Sequence, residues 1–188
     1  MERRAATGLA LCRRQFPGRG ACGASVVTGA LSLQVNGQAV AMDANDPVML
    51  IELLRNRLGL KATRLGCGLE QCGACMVLVD GEPVPSCGRE AAAFAGRAVT
   101  TVEGISAGGL HPLQQALIDE QAGQCGFCLS GIMMSGLALL AANPDPSRAE
   151  IALALDRHLC RCGAQNRIIA AVERAASVLR GGGVHAAG

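Results

Sequence analysis

Eight of the ten cysteines in this 188-residue chain fall into two sets of four, and that distribution limits the possible folds more than any other feature. Cys67, Cys72, Cys75 and Cys87 follow the pattern C-x4-C-x2-C-x11-C within "CGLEQCGACMVLVDGEPVPSC". Cys125 and Cys128 lie in "QCGFC" and Cys160 and Cys162 in "LCRCG", which gives C-x2-C-x31-C-x1-C. A fold for this chain has to bring each set of four thiols to one place.

The first spacing selects a chemistry. Three thiolates on a tight loop and a fourth from a following hairpin match the plant-type arrangement in which four sulfurs hold the two irons of a [2Fe–2S] cluster. Gly66, Gly68 and Gly73 suit such a loop, because a backbone that curls around a cluster needs glycine conformations and aims its N–H groups at sulfur. Zinc sites pair short CxxC or CxxH knuckles, which the gap between Cys67 and Cys72 fits poorly. A disulfide framework would need an oxidising compartment, for which neither length nor leader argues. The second set is more open by itself, since CxxC with a distant CxC could also hold zinc. Four thiolates at a junction of apolar helices suit a second [2Fe–2S] centre, and a companion cluster in the same chain favours that reading. Two one-electron centres in one small chain form a wire.

Composition narrows the partners. Half of the residues are hydrophobic, 17% are charged and the formal net charge is +2, so the chain can bury one large or two small cores. With three Phe, no Trp, no Tyr and no long basic run, it lacks a platform for phosphate steering or base stacking, and nucleic acid is not an expected partner. No apolar stretch reaches the roughly 18 to 20 residues that a membrane-spanning helix needs. Residues 1–30 are rich in Arg, Gly and Ala and read as an irregular extension. Arg3-Arg4 before "AATGLAL" is similar to a twin-arginine signal, but Arg13 and Arg14 interrupt the apolar region, so export is not expected. The expected location is the cytoplasm, with any membrane association made through a partner. Cys12 and Cys22 have no partner motif and read as incidental thiols.

Beyond the extension, periodicity predicts an α+β chain in two parts. Leu31, Leu33 and Val35 alternate with polar residues before Asn36-Gly37, a hairpin turn dipeptide. Asp46-Pro47 then predicts a helix start, with Leu50, Leu53, Leu54 and Leu58 on one face before Gly59. A second hairpin turns at Asp80-Gly81, and "AVTTVEG" closes the first domain as a strand, giving a domain over 31–104. Residues 110–180 carry four helical segments. Pro112 begins the first, "LSGIMMSGLALLAA" forms the second, Ser147 and Glu150 have capping-box spacing before the third, and Ile168, Val172, Ala175 and Leu179 line the last. The CxxC and CRC pairs fall at helix junctions. Residues 181–188 are read as a flexible tail.

The segments "GCGLEQCGACMVLVDGEPVPSC", "QCGFCLSGIMMS" and "HLCRCGAQNRI" resemble the signature segments of the small iron–sulfur subunit of molybdenum hydroxylases, the xanthine oxidase and aldehyde oxidoreductase family. The likeness covers about Leu31 to Ala176 and is greatest to the small subunits of the nicotinate dehydrogenase and isoquinoline 1-oxidoreductase type. It implies an N-terminal β-grasp ferredoxin-like domain followed by a four-helix-bundle [2Fe–2S] domain. It also implies a large partner subunit carrying molybdopterin cytosine dinucleotide, and a flavoprotein subunit or c-type cytochrome as electron acceptor. Gln124 and Cys162 match the positions that lie near the pterin in this family. An N-heteroaromatic such as nicotinate is the implied substrate, with aldehydes as the runner-up.

No set of residues in the chain itself offers oxidation chemistry. His111, His158 and His185 belong to no Ser/His/Asp or Cys/His constellation visible by spacing, and eight cysteines already supply two full ligand shells without His158. A free-standing carrier or redox sensor is the competing class, but it would need only the first domain, whereas the helical module with Met133-Met134 is apolar enough to bury against something. Because each ligand set falls within one predicted domain, the two clusters are expected to be held independently.

Overall fold

The computed structural model describes residues 30–106 and 108–181. The readings of the extension, with Cys12, Cys22 and the twin-arginine segment, and of the tail with His185, lie outside the described residues.

Both predicted hairpins form. β1 (Ala30–Val35) and β2 (Gln38–Asp43) pair antiparallel across Asn36-Gly37, and β3 (Met76–Val79) and β4 (Glu82–Pro85) across Asp80-Gly81. All four turn residues have positive φ, as a type I′ turn requires. β5 (Ala98–Thr100) runs parallel to β1 and antiparallel to β3, so the sheet order is β2-β1-β5-β3-β4. Leu33, Val35, Val77, Val79 and Val99 bury one face of this mixed sheet against Leu50, Leu53, Leu54 and Phe94. This core fixes the sheet's register, because a slip by one residue would turn those side chains to solvent.

Two expected boundaries are corrected. The helix predicted from Pro47 begins three residues later, as α1 (Leu50–Glu52), and continues as a π-helix over Leu53–Arg57. Met49 forms a strand-like bridge with Glu90 and the Leu50 N–H donates to the Arg89 carbonyl at 2.9 Å, so the chain is pinned sideways before it can wind. The predicted closing strand stops at Thr100. The Thr101 N–H goes to Asn36 Oδ1 at 2.8 Å instead of to a ladder partner, and the short α2 (Val102–Ile105) follows.

The four helices of the second part are α3 (Pro112–Asp119), α4 (Leu129–Ala142), α5 (Arg148–Leu155) and α6 (Gln165–Gly181). Leu113, Ala116, Leu117, Ile132, Ile151, Ile168, Val172 and Ala175 form their common core. Leu179, expected on that face, is 45% exposed near the end of α6. Ser147 and Glu150 make the predicted capping box. α4 also lies against β3, so the apolar surface around Met134 is covered by the chain's own sheet domain. Among the described residues, no helix is long and apolar enough to cross a membrane.

A second capping box gives no signal in the sequence because its acceptor is a histidine. His111 Nδ1 accepts the Leu113 N–H at 3.1 Å, and Gln114 Oε1 accepts the His111 N–H at 2.8 Å. Burial pushes the His111 pKa down, so on acidification the unfolded chain takes the proton first. The stability this group contributes is therefore present above the ordinary histidine pKa near 6.5 and is lost as pH falls below it. His111→Asn keeps a capping acceptor without titrating in that range. Thermal melts between about pH 7.5 and 5.5 should show a shallower loss of stability for the variant than for the parent, and equal slopes would remove His111 from this account.

Candidate metal centres

The first sulfur set is built on a loop whose neck is tied before the cysteines begin. Arg55 on the π-helix donates to the carbonyls of Lys61 and Thr63, and the Arg64 N–H donates to the Ala74 carbonyl at 3.2 Å. Within the loop, Leu69, Gln71 and Cys72 point their N–H groups at Cys67 Sγ at 3.3–3.4 Å, and Glu70 points its N–H at Cys87 Sγ at 3.4 Å. Cys87 arrives from the end of β4, where Ser86 donates through its N–H and its hydroxyl to the Cys75 carbonyl. Gly68 and Gly73 take the positive φ expected of them; Gly66 does not, and the remaining left-handed position belongs to Glu70. Gly66 is needed for space instead, since a Cβ there would come within 2.7 Å of Cys72 Sγ.

The second set sits where α4 and α6 begin. Cys128 is the residue before α4, and Cys160 and Cys162 lie in the turn that leads into α6. Cys125 Sγ and Cys162 Sγ are 3.5 Å apart. Gln124 Nε2 donates to the Cys162 carbonyl at 3.3 Å, so the two positions singled out beside the second set do meet at one exposed edge.

The sulfurs meet in four pairs: Cys67 with Cys72, Cys75 with Cys87, Cys125 with Cys162, and Cys128 with Cys160. Two pairs per set is what a two-iron cluster requires, with two thiolates on each iron. The electrostatics are graded in the same way at both sites. The Leu69, Gln71 and Cys72 N–H groups bring the exposed Cys67 down to about 6, and the Phe127 N–H, then the Cys162 thiol, lower Cys125. Desolvation opposes the Cys160 thiolate, but the N–H groups of Ala164, Cys162 and Gly163 help to outweigh it and its pKa falls. Desolvation pushes Cys87 up to about 11 and Cys128 up to about 12. Such buried sulfurs become thiolates at neutral pH only against cationic charge, which a metal cluster bound by these donor sets would supply.

The two loops also touch. The Leu159 N–H, next to Cys160, donates to the Cys72 carbonyl at 3.1 Å, and Arg157 donates to the Glu70 carbonyl at 3.4 Å. A Cβ on Gly131 of α4 would lie 2.0 Å from the Gly73 carbonyl oxygen, and one on Gly66 would lie 3.7 Å from the Phe127 ring. His158 is buried with Nε2 at 2.8 Å from Ser135 Oγ. Each ligand set stays within one half of the chain, yet the loops that carry them are packed on one another. Phe127, Gly131, Ser135 and Leu159 give no signal by spacing, because their partners lie far away in sequence.

The 2Fe-2S iron-sulfur cluster binding domain family matches residues 33–99, and the [2Fe-2S] binding domain family matches residues 101–173. The chain is thus a two-domain iron–sulfur protein. A nicotinate dehydrogenase subunit from Pseudomonas putida is 48% identical over 151 residues, covering 80% of this chain and 96% of that protein. The alpha subunit of isoquinoline 1-oxidoreductase from Brevundimonas diminuta is 45% identical over 143 residues, covering 76% and 94%. The solved structure of quinoline 2-oxidoreductase from Pseudomonas putida 86 aligns with a TM-score of 0.75 and 36% identity over 82% of this chain and 98% of that one. The chain belongs to the family of small [2Fe–2S] subunits of molybdenum hydroxylases, and its role is electron transfer, with substrate chemistry left to a partner.

Contact between the halves makes a prediction that separate domains would not. Gly131→Ala drives a methyl group into the Gly73 backbone, which should cost about 1–3 kcal/mol and lower the thermal midpoint. It should also shift the paramagnetic signal of a cluster held by Cys67, Cys72, Cys75 and Cys87, although Gly131 lies on a helix of the other half. An unshifted first signal in a destabilised variant would show that the loops are independent.

Proposed function

We propose that this chain carries electrons from a large partner subunit, which binds molybdopterin cytosine dinucleotide and oxidises an N-heteroaromatic such as nicotinate, to a flavoprotein subunit or c-type cytochrome. Residues 31–104 would hold one [2Fe–2S] cluster through Cys67, Cys72, Cys75 and Cys87, and residues 110–180 a second through Cys125, Cys128, Cys160 and Cys162. When bound, each cluster supplies a one-electron relay between the partner and the acceptor. Gln124 and Cys162 face the partner's pterin in this reading, which makes the second set the entry side and the first set the exit side. The names of the relatives support the heteroaromatic substrate, since small subunits of nicotinate dehydrogenase, isoquinoline 1-oxidoreductase and nicotine 6-hydroxylase all match.

The observation that carries the relay is the Leu159–Cys72 hydrogen bond. It joins a ligand of the first set to the backbone of a ligand of the second through one peptide unit and one hydrogen bond. The rest of the chain keeps that path in place. Cys75, Cys87 and Cys128 are buried, His158 and Ser135 close the space beside Gly73, and Arg157 braces the loop at Glu70. The graded N–H groups around Cys67 and Cys160 would set how much charge each site tolerates.

The complex isolated from its native host should contain molybdenum and four irons for each copy of this chain, and nicotinate-like heterocycles added anaerobically should bleach its visible absorption. Cys72→Ser should leave the second cluster reducible by substrate while turnover with the external acceptor falls at least about 10-fold. Cys128→Ser should stop substrate electrons from reaching the first cluster. Zinc at either site would defeat the cluster assignment for that site, and clusters that neither heterocycles nor aldehydes reduce in a preparation without a molybdenum subunit would replace this reading with a free-standing carrier or sensor.

A further inference from the structure

His158 is 7% exposed and sits in the seam between the two cysteine loops. Its Nε2 is satisfied by Ser135 Oγ at 2.8 Å, whereas Nδ1 is aimed at Gly73 and closes no hydrogen bond of normal geometry. The fit against Gly73 is tight enough that a Cβ there would come within 2.2 Å of Nδ1, 2.8 Å of Cε1 and 2.9 Å of Cγ. Gly73 lies between Cys72 and Cys75, and the next residue after His158 donates the N–H that reaches Cys72. Gly131 presses on the same glycine from α4, which also carries Ser135. The imidazole is therefore a wedge with one face on the first loop, one nitrogen on α4, and its backbone in the segment that leads to Cys160.

We propose that His158 is a positioning residue that sets the electronic coupling between the two cluster sites, by locking Gly73 against Ser135 so that the Leu159–Cys72 hydrogen bond keeps its length. This rests on the relay reading above. The step concerned moves one electron from the reduced second cluster to the oxidised first, with the substrate heterocycle that the partner oxidises, or dithionite in a test, as its source; no bond forms or breaks. An apolar wedge of similar size would fill the space but would not be anchored to α4, and the loops could slide along each other.

The native complex carrying His158→Leu, Ser135→Ala or His158→Gln tests this with readouts separate from turnover. Iron and acid-labile sulfide report whether both clusters remain, electron paramagnetic resonance of the dithionite-reduced protein reports spin coupling between them, and stopped-flow spectroscopy separates reduction of the second cluster from that of the first. His158→Leu and Ser135→Ala should keep four irons and an unchanged first phase, alter the spin coupling, and slow the second phase about 10-fold. His158→Gln, whose amide can reach Ser135, should recover most of that loss. Unchanged coupling and second-phase rate in both damaging variants would overturn the proposal, as would loss of iron from either site, which would make His158 a support of the loop alone. A parent complex without two interacting clusters would sink the relay reading itself, and this inference with it.

Discussion

A thiolate cannot be buried without compensation, and the architecture answers that constraint. Four sulfurs brought together repel one another once ionised, and desolvation at Cys87 and Cys128 adds to the cost. The chain supplies part of the compensation from its own backbone, by turning several N–H groups toward Cys67 and Cys160. A loop that turns its amides inward leaves little room at its inner surface, hence Gly66 behind Cys72 and Gly73 beneath His158. Bound iron would supply the remaining compensation.

From that constraint the rest of the fold can be ordered. The five-stranded sheet and its helical cover hold the neck of the first loop and the end of β4 at fixed positions, so that Cys87 meets Cys75. The four helices present two of their starts side by side, which places Cys128 and Cys160 together at a junction where backbone N–H groups are free to point at sulfur. Neither half covers its sulfur set alone. Helix α4 spans the seam, contributing to the helical core through Ile132 and Leu140 and to the sheet domain through its contact with β3.

Much of this is legible in the sequence, wherever the information is local. Asn36-Gly37 and Asp80-Gly81 announce hairpins because few other dipeptides accept two left-handed residues, and Ser147 with Glu150 marks a helix start at fixed spacing. The cysteine spacing points to both sulfur sets for the same reason. The failures are tertiary. The bridge from Met49 to Glu90 delays α1 by three residues, and nothing near Pro47 encodes it. Glu70 takes a left-handed conformation expected of glycine because its N–H is required at Cys87. Spacing leaves His158 as no more than a spare ligand, since its partners, Ser135 and Gly73, are 23 and 85 residues away.

The uneven covering of the first sulfur set has a chemical consequence. Cys67 is exposed and flanked by Leu65 and Leu69, which are exposed as well, whereas Cys75 and Cys87 are sealed inside the fold. An iron held by Cys67 and Cys72 would stand at the surface and one held by Cys75 and Cys87 beneath it. Dioxygen, peroxide and chelators would then meet the outer iron first, and oxidative loss of the cluster would start from the side that the proposed acceptor would approach. Whatever docks over Leu65 and Leu69 would serve as a shield as well as an electron sink.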